Sequence, residues 1–256
     1  MAGHSKWANI KHRKARQDNR KGKVWSKCSK AIMAAARSGG GDPDTNLSLR
    51  YAIDEAKYEN MPKDTIKRAI DKGAGETGGA DFQELVYEGY GPGGTALLII
   101  GLTDNNTRTV GDVRVCFKKG GGSMGNAGTV AFMFQTKGQI IVDANKYSED
   151  QIMEVALESG ADDVESPEGL GGDGDDKGVW TIVTEPTEFL GCKDAIEAAG
   201  IEIMEASIAR IPDNTVAVAG DDVRKVMNLI DALEDLDDVQ KVFTNADFDA
   251  DDLAKL

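Results

Sequence analysis

The chain has 256 residues, 40% of them hydrophobic and only 6% aromatic, with a formal net charge of −14. That length implies about two domains with room for three small ones, and the composition implies cores of Val, Ile, Leu and Ala rather than of rings. No apolar run approaches the roughly 18 residues a spanning helix needs, and Cys28, Cys116 and Cys192 are too few and too far apart for a disulfide framework or a zinc knuckle.

The charge is unevenly placed. Residues 1–75 hold 17 basic and 8 acidic side chains, or +9, and the remainder holds 13 against 36, or −23. Asymmetry of this size marks an interaction arm. A basic, acid-poor start also suits a mitochondrial transit peptide. The stretch runs straight into a patterned helix, which favours the arm and a reduced, cytoplasmic protein with no membrane segment, read as a monomer.

In chain order, the first 17 or so residues lack an apolar period and read as a flexible arm. The spacing then predicts a helix over about 18–37, with Val24, Cys28, Ala31, Ile32 and Ala35 on one face and Lys23, Lys27, Lys30 and Arg37 on a flank beside it. SGGGDPDTN ends it. A second helix starts near Asn46 with Leu49, Ala52, Ile53 and Ala56 inside. Pro62 opens a third, with Ile66, Ala69 and Ile70 inside and Gly73 as its stop. GAGETGGAD reads as a linker.

Beyond Ala80 the apolar period drops to two. LVYEGY and TALLIIGLT are predicted strands, a helix follows TDNNT over about 107–119, and TVAFMF is the next predicted strand. GQIIVDA, SEDQIMEVALESG, DDVE, WTIVT, EFLGCKDAIEAAG and IEIMEA then give strand, helix, strand, strand, helix, strand, the ferredoxin-like order. ASIARIP, DDVRKVMNLIDALEDL and VQKVFTN return as strand, helix, strand. The expected fold class is α+β in three domains. A basic arm and helical domain spans 1–80. A middle α+β domain over 81–135 and 205–247 is interrupted by a ferredoxin-like domain over 136–204. Residues 248–256 are left as an acidic tail, expected to be disordered.

Few motifs carry chemistry. Gly89–Gly94 satisfies G-x-G-x-x-G, but a strand follows where a dinucleotide site needs a helix, so it reads as a hairpin turn. The run 173–178 resembles a calcium loop but has Lys177 and Thr184 where oxygen ligands belong. It is read, with the rest of the acidic loop 162–176, as solvated. Gly122-Ser-Met-Gly125 has the form of a backbone-clamping GXXG turn but precedes a strand, so it reads as a plain Gly-rich connection, with phosphate contact by Lys118 and Lys119 beside free backbone amides as the alternative. Only His4 and His12 could serve as imidazole bases, and both lie in the arm. No catalytic residue, cofactor or metal ligand is assigned.

That leaves nucleic acid as the expected partner. Lys6, Lys11, His12, Arg13, Lys14, Arg16, Arg20, Lys21, Lys23, Lys27, Lys30 and Arg37 could neutralise phosphates, and Trp7 and Trp25 could stack on bases. No recognition-helix pattern is visible.

The motifs MAGHSKWANIKHRKARQD, GGGDPDTN, NMPKDTIKRAIDKG, YEGYGPGG, TDNNTRTVGDVR and FKKGGGSMGNAG resemble those of the YebC/PmpR family, which includes mitochondrial translational activators. The likeness runs from the first residue to about Asn245. It implies a helical N-terminal domain followed by two α+β domains, a non-enzymatic role in gene expression, and one of two activities. One is action on ribosomes that stall in proline-rich stretches, and the other is DNA-binding transcriptional regulation. Ribosomal RNA and the ribosome are the favoured partners, with duplex DNA as the alternative. An acidic scaffold that recruits a basic protein is a third reading.

Overall fold

The computed structural model describes residues 21–75, 81–167 and 178–253. Its first three helices are α1 (Lys21–Gly39), α2 (Leu47–Tyr58) and α3 (Lys63–Ala74). Next come β1 (Gln83–Tyr90), β2 (Ala96–Thr103), α4 (Asn106–Lys119), β3 (Ser123–Met124) and β4 (Phe134–Asp143). After these lie α5 (Glu149–Glu158), β5 (Asp163–Glu165), β6 (Val179–Thr184), α6 (Phe189–Ala198) and β7 (Ile203–Pro212). The last elements are β8 (Val216–Val218), α7 (Asp221–Glu234), β9 (Val239–Thr244), β10 (Ala246–Phe248) and α8 (Ala250–Leu253). The fold is α+β.

The three helical stripes close on one core that joins Cys28, Ile32 and Ala36 to Leu49, Ile53, Ile66 and Ala69. Asn46 locks the first corner. Its Oδ1 accepts from Leu49 N at 3.1 Å, while its Nδ2 donates to Ala35 O and Gly40 O, both at 2.8 Å. One side chain thereby satisfies orphan groups at the end of α1 and the start of α2. Gly73 does not stop α3, as its spacing predicts. It is a buried helical residue, and a Cβ there would stand 2.5 Å from the Met33 carbonyl oxygen. The glycine is what lets α1 and α3 approach so closely.

In the middle domain the antiparallel sheet has the order β3-β1-β2-β9. α4 and α7 cover one face through Val113, Phe117, Val226, Leu229, Ile230 and Leu233, packed on Tyr87, Leu97, Ile99 and Val242. The run 89–94 is the β1–β2 turn, with Gly93 at φ 69° and Gly94 at φ 75°. That left-handed backbone is cheap only for glycine.

The ferredoxin-like sheet has the order β5-β6-β4-β7, every pair antiparallel. Its helices α5 and α6 pack Ile152, Ala156, Phe189, Cys192 and Ile196 on Ile140, Val142 and Ile182.

Three expected elements differ. TVAFMF is not a strand: Ala131–Met133 form a 3-10 turn and β4 begins at Phe134. The amides of Val130 and Ala131 are taken by the Glu88 carboxylate, which leaves them no ladder to join. IEIMEA and ASIARIP are one strand, β7, because β4 is long enough to pair it from Pro212 to Ile203 with a single register shift. The expected domain boundary at 204–205 falls inside that strand. The acidic tail is structured as far as the description runs. β10 pairs in parallel with β8, Phe248 is 1% exposed, and Asp252 Oδ2 accepts from Gly220 N at 2.6 Å. Asp247 lies in β10 itself, Asp249 follows it and accepts from Asp252 N at 3.0 Å, and Asp252 belongs to α8, so the acidic run is a strand and a helix start rather than a solvated tail.

Candidate nucleic-acid interface

Of the residues expected to touch phosphate, Lys6, Trp7, Lys11, His12, Arg13, Lys14, Arg16 and Arg20 lie outside the described residues, and Lys21 opens α1. The loop segment 168–176 also lies outside them.

The lysine flank of α1 is built as expected, one residue per turn, and its ammonium groups are engaged at the end of α7. Lys23 Nζ is 2.7 Å from Asp235 Oδ1. Lys27 Nζ donates to the Glu234 carbonyl oxygen at 2.5 Å. Lys30 Nζ donates to Asp237 O at 2.9 Å and Asp238 Oδ1 at 3.0 Å. Three cations therefore cap the C-terminal end of α7, where unpaired carbonyls and the helix dipole attract positive charge. Burial lowers the Lys27 ammonium below its ordinary value, against the opposing pull of Glu234, Asp237 and Asp235. These three, expected to meet a phosphate ridge together, are engaged in this structure by the end of α7 and the residues that follow it. Arg37 Nε lies 3.6 Å from Asp81 Oδ1. Trp25 is likewise engaged, its indole N–H donating to Glu59 O at 3.0 Å, and it packs on the helical core instead of presenting a free ring.

Asp238 is the hub of this contact. Its Oδ2 accepts from Arg108 Nη2 at 2.7 Å, Arg108 Nε at 3.0 Å, Thr109 Oγ1 at 2.9 Å and Thr103 Oγ1 at 3.1 Å. Burial pushes its carboxyl up, but the hydrogen bonds from Arg108, Lys30 and Thr109 outweigh that and hold it down at about 2. Thr103, Arg108 and Thr109 belong to the TDNNTRT run, so what reads as a helix start is also one side of a domain clamp.

A second buried carboxylate organises the glycine-rich loop after α4. Glu88, 4% exposed, accepts from the amides of Gly128 at 2.7 Å, Val130 at 2.6 Å and Ala131 at 2.8 Å. Burial raises its carboxyl and these amides lower it, with the net shift downward. The Glu88 carbonyl takes Gly125 N at 2.8 Å, and Gly122 N returns to Phe117 O at 2.9 Å. The expectation of free amides beside Lys118 and Lys119 is therefore corrected for Gly122 and Gly125. The two lysines themselves are exposed at the end of α4.

A cleft of about 420 Å³ lies between α2 and α6. Lys193, 5% exposed, sits in it with Asp54, Asp194 and Glu197 each 3.4 Å from its Nζ. Arg50 Nη2 reaches Asp194 at 3.3 Å, Tyr58 donates to Glu197 at 3.3 Å, and Tyr51 meets Phe189 edge-on at 5.6 Å. Its charges are mutually satisfied, so the cleft serves as a domain contact.

Sequence reasoning missed Asp238, Glu88 and Lys193. A signal existed for Glu88, an acid within the apolar run LVYEGY. Among the described residues no cluster of three His, Cys, Asp or Glu could hold a metal, and no helix is long and apolar enough to cross a membrane. Burial pushes the Cys28 thiol up to about 12, which keeps it unreactive.

Comparison with known proteins covers nearly the whole chain. Residues 5–76 match the family model described as the TACO1/YebC protein N-terminal domain, and residues 82–246 match that of the TACO1/YebC second and third domain. A protein of Acidovorax sp. (strain JS42), named "Probable transcriptional regulatory protein", is 51% identical over 96% of this chain and 100% of its own length. A protein of the same name from Syntrophotalea carbinolica is 48% identical over 100% of this chain and 99% of its own. The crystal structure of the conserved hypothetical protein Aq1575 from Aquifex aeolicus superposes with a TM-score of 0.80 at 42% identity, covering 91% of this chain and 92% of that one.

Proposed function

The chain belongs to the TACO1/YebC family, and from that membership and its charge polarity we propose that it is a nucleic-acid-binding regulator of gene expression, acting on RNA as a ribosome-associated translation factor that assists stalled, proline-rich synthesis. The observation that carries the reading is the +9 of residues 1–75 set against the −23 of the rest. An acidic body repels a polyanion, so contact is confined to the basic end, which would release counterions on binding.

The placement of α1 removes that helix as a major-groove reader. A major-groove reader needs an exposed helix whose side chains reach base edges. α1 instead turns its lysine flank to α7 and its apolar face to α2 and α3. Basic residues with Trp7 ahead of it suit looped or single-stranded RNA, where rings stack on bases.

The test is sedimentation of a lysate through a sucrose gradient at low salt, blotting for the full chain and for a chain lacking residues 1–20. The full chain should travel with ribosomal fractions and shift to the top after ribonuclease treatment, and the shortened chain should stay at the top. Both chains remaining at the top of the untreated gradient would remove the ribosomal reading.

A second reading, transcriptional regulation on duplex DNA, is favoured by the names of the curated relatives. Its distinctive demand is a ratio of specific to random duplex affinity far above one at fixed salt. Equal binding to promoter and scrambled duplexes reduces it to electrostatics.

A further inference from the structure

We infer that the exposed face of α3, carrying Lys63, Lys67, Arg68 and Lys72, is a phosphate-binding surface by which the helical domain grips RNA; this rests on the proposed nucleic-acid role and names the residues that perform it. The starting point is what α1 has given up. Its three flank lysines are held by the α7 end, so cations for a polyanion must come from elsewhere on the domain.

α3 supplies them. Ile66, Ala69 and Gly73 form its buried stripe, and Gly73 presses it against α1. Lys63, Lys67, Arg68 and Lys72 all lie on the exposed side. They fall into two i,i+4 pairs, Lys63 with Lys67 and Arg68 with Lys72, so each pair sits one turn apart on the same side of the helix. Asp64 and Asp71 lie on the exposed side too, which leaves a net charge of +2.

Among the described residues none of these four cations has a carboxylate within ion-pair distance. Every lysine of the α1 flank, by contrast, has an acidic or carbonyl partner. Arg68 uses its own helix instead: Nε donates to the Asp64 carbonyl at 3.2 Å and Nη2 to Thr65 Oγ1 at 3.1 Å. Those bonds fix the plane of the guanidinium and leave its remaining N–H groups for a partner. Asp64 sits in the first turn, where a carboxylate is already favoured by the helix dipole and need not pair with a lysine.

From Lys63 to Lys72 the helix advances roughly 14 Å, a length over which a nucleic-acid duplex carries about eight charges. The backbone beneath is rigid. Pro62 presets the helix start, and Met61, 4% exposed, plugs the corner into the core. At 100° per residue the two pairs lie about 140° apart, on the two borders of the exposed face with Asp64 and Asp71 between them, so each border of α3 offers a phosphate strand two cations without a carboxylate partner on the basic pole of an otherwise acidic chain.

The experiment uses the full chain and a fluorescein-labelled stem–loop RNA, titrated by anisotropy across a salt series, with poly-glutamate as control polyanion. Two variants are compared: K63Q/K67Q/R68Q/K72Q, and K23Q/K27Q/K30Q. The α3 variant should keep its melting temperature, bind RNA at least roughly tenfold more weakly at low salt, and lose up to about three units of log–log salt slope. The α1 variant should melt lower yet keep its slope. If the α3 variant unfolds, the charge reversal K67E/K72E, confined to exposed positions, should show the same loss of affinity. An α3 variant with wild-type affinity and slope overturns the surface, as does equal affinity of the wild-type chain for RNA and poly-glutamate. A wild-type chain that binds no RNA overturns the nucleic-acid reading itself and α3 with it.

Discussion

Lys30 Nζ stands 3.0 Å from one oxygen of Asp238, whose other oxygen takes Arg108 Nη2 at 2.7 Å. One carboxylate thus ties the helical domain to the sheet end of the middle domain and to the first turn of α4. Its side chain is 8% exposed, so the pairing is only weakly screened.

Asp238→Asn should therefore lower unfolding free energy by about 3 kcal/mol, at the low end for breaking a buried pair because Arg108 keeps access to water. The effect depends on pH. The folded carboxyl is held down to about 2 against an ordinary 3.8, so its contribution is complete above about pH 4 and is lost as pH falls through about 2. Urea midpoints measured from neutral pH downward should show the wild-type advantage intact until about pH 4 and narrowing below. A constant gap across that window would place the cost in packing instead of charge.

The α1 flank is structural as well as basic. K23Q/K27Q/K30Q should destabilise by about 1–3 kcal/mol, carried mainly by Lys27 and Lys30, since hydrogen bonds to charged groups in partly buried sites are worth more than exposed pairs. Lys23→Gln alone, at an ion pair half open to water, should cost less than about 1 kcal/mol. Calorimetric melting of the triple and single variants checks both, and an unchanged triple variant would leave the clamp without energetic weight.

Glu88→Gln keeps shape and removes charge. It weakens three amide bonds to a buried acceptor and leaves an amide N–H group where a carboxylate oxygen stood. The cost should be about 1.5–3 kcal/mol. Amide hydrogen exchange is the direct readout: Gly128, Val130 and Ala131 should lose protection first, while strand β2 stays protected. Uniform loss across the middle domain would mean the carboxylate serves the whole sheet instead of this loop.

Phe248→Ala tests the tail. A side chain 1% exposed within the middle-domain core should cost about 3–5 kcal/mol on truncation. Urea denaturation gives the value. A cost under about 1 kcal/mol would mean that this segment is only loosely attached.

Local periodicity was readable because it depends on near neighbours. Leu49, Ala52, Ile53 and Ala56 repeat at helical spacing and are all buried, and the strand–helix order from Phe134 to Pro212 yields the 2-3-1-4 sheet that such an order builds. Where a neighbour outside the element intervenes, the pattern misleads. TVAFMF alternates too little to decide its own state, and Glu88, forty residues away, decides it by capturing two amides.

The amino-acid order alone establishes the electrical polarity of the molecule and the stripe on which Lys23, Lys27 and Lys30 fall, since both are counts and angles along one chain. It does not establish what those lysines face. Their partners lie more than 200 residues downstream, and an ammonium is equally suited to a phosphate, a carboxylate or a carbonyl at a helix end. Only the docking of α1 against α7 selects among them, and that docking follows from the shapes of two separate cores. The same packing turns α3's cations outward. Which of the two helices is left to meet a partner is thus a property of the assembled domains, because burial and pairing are long-range and composition is not.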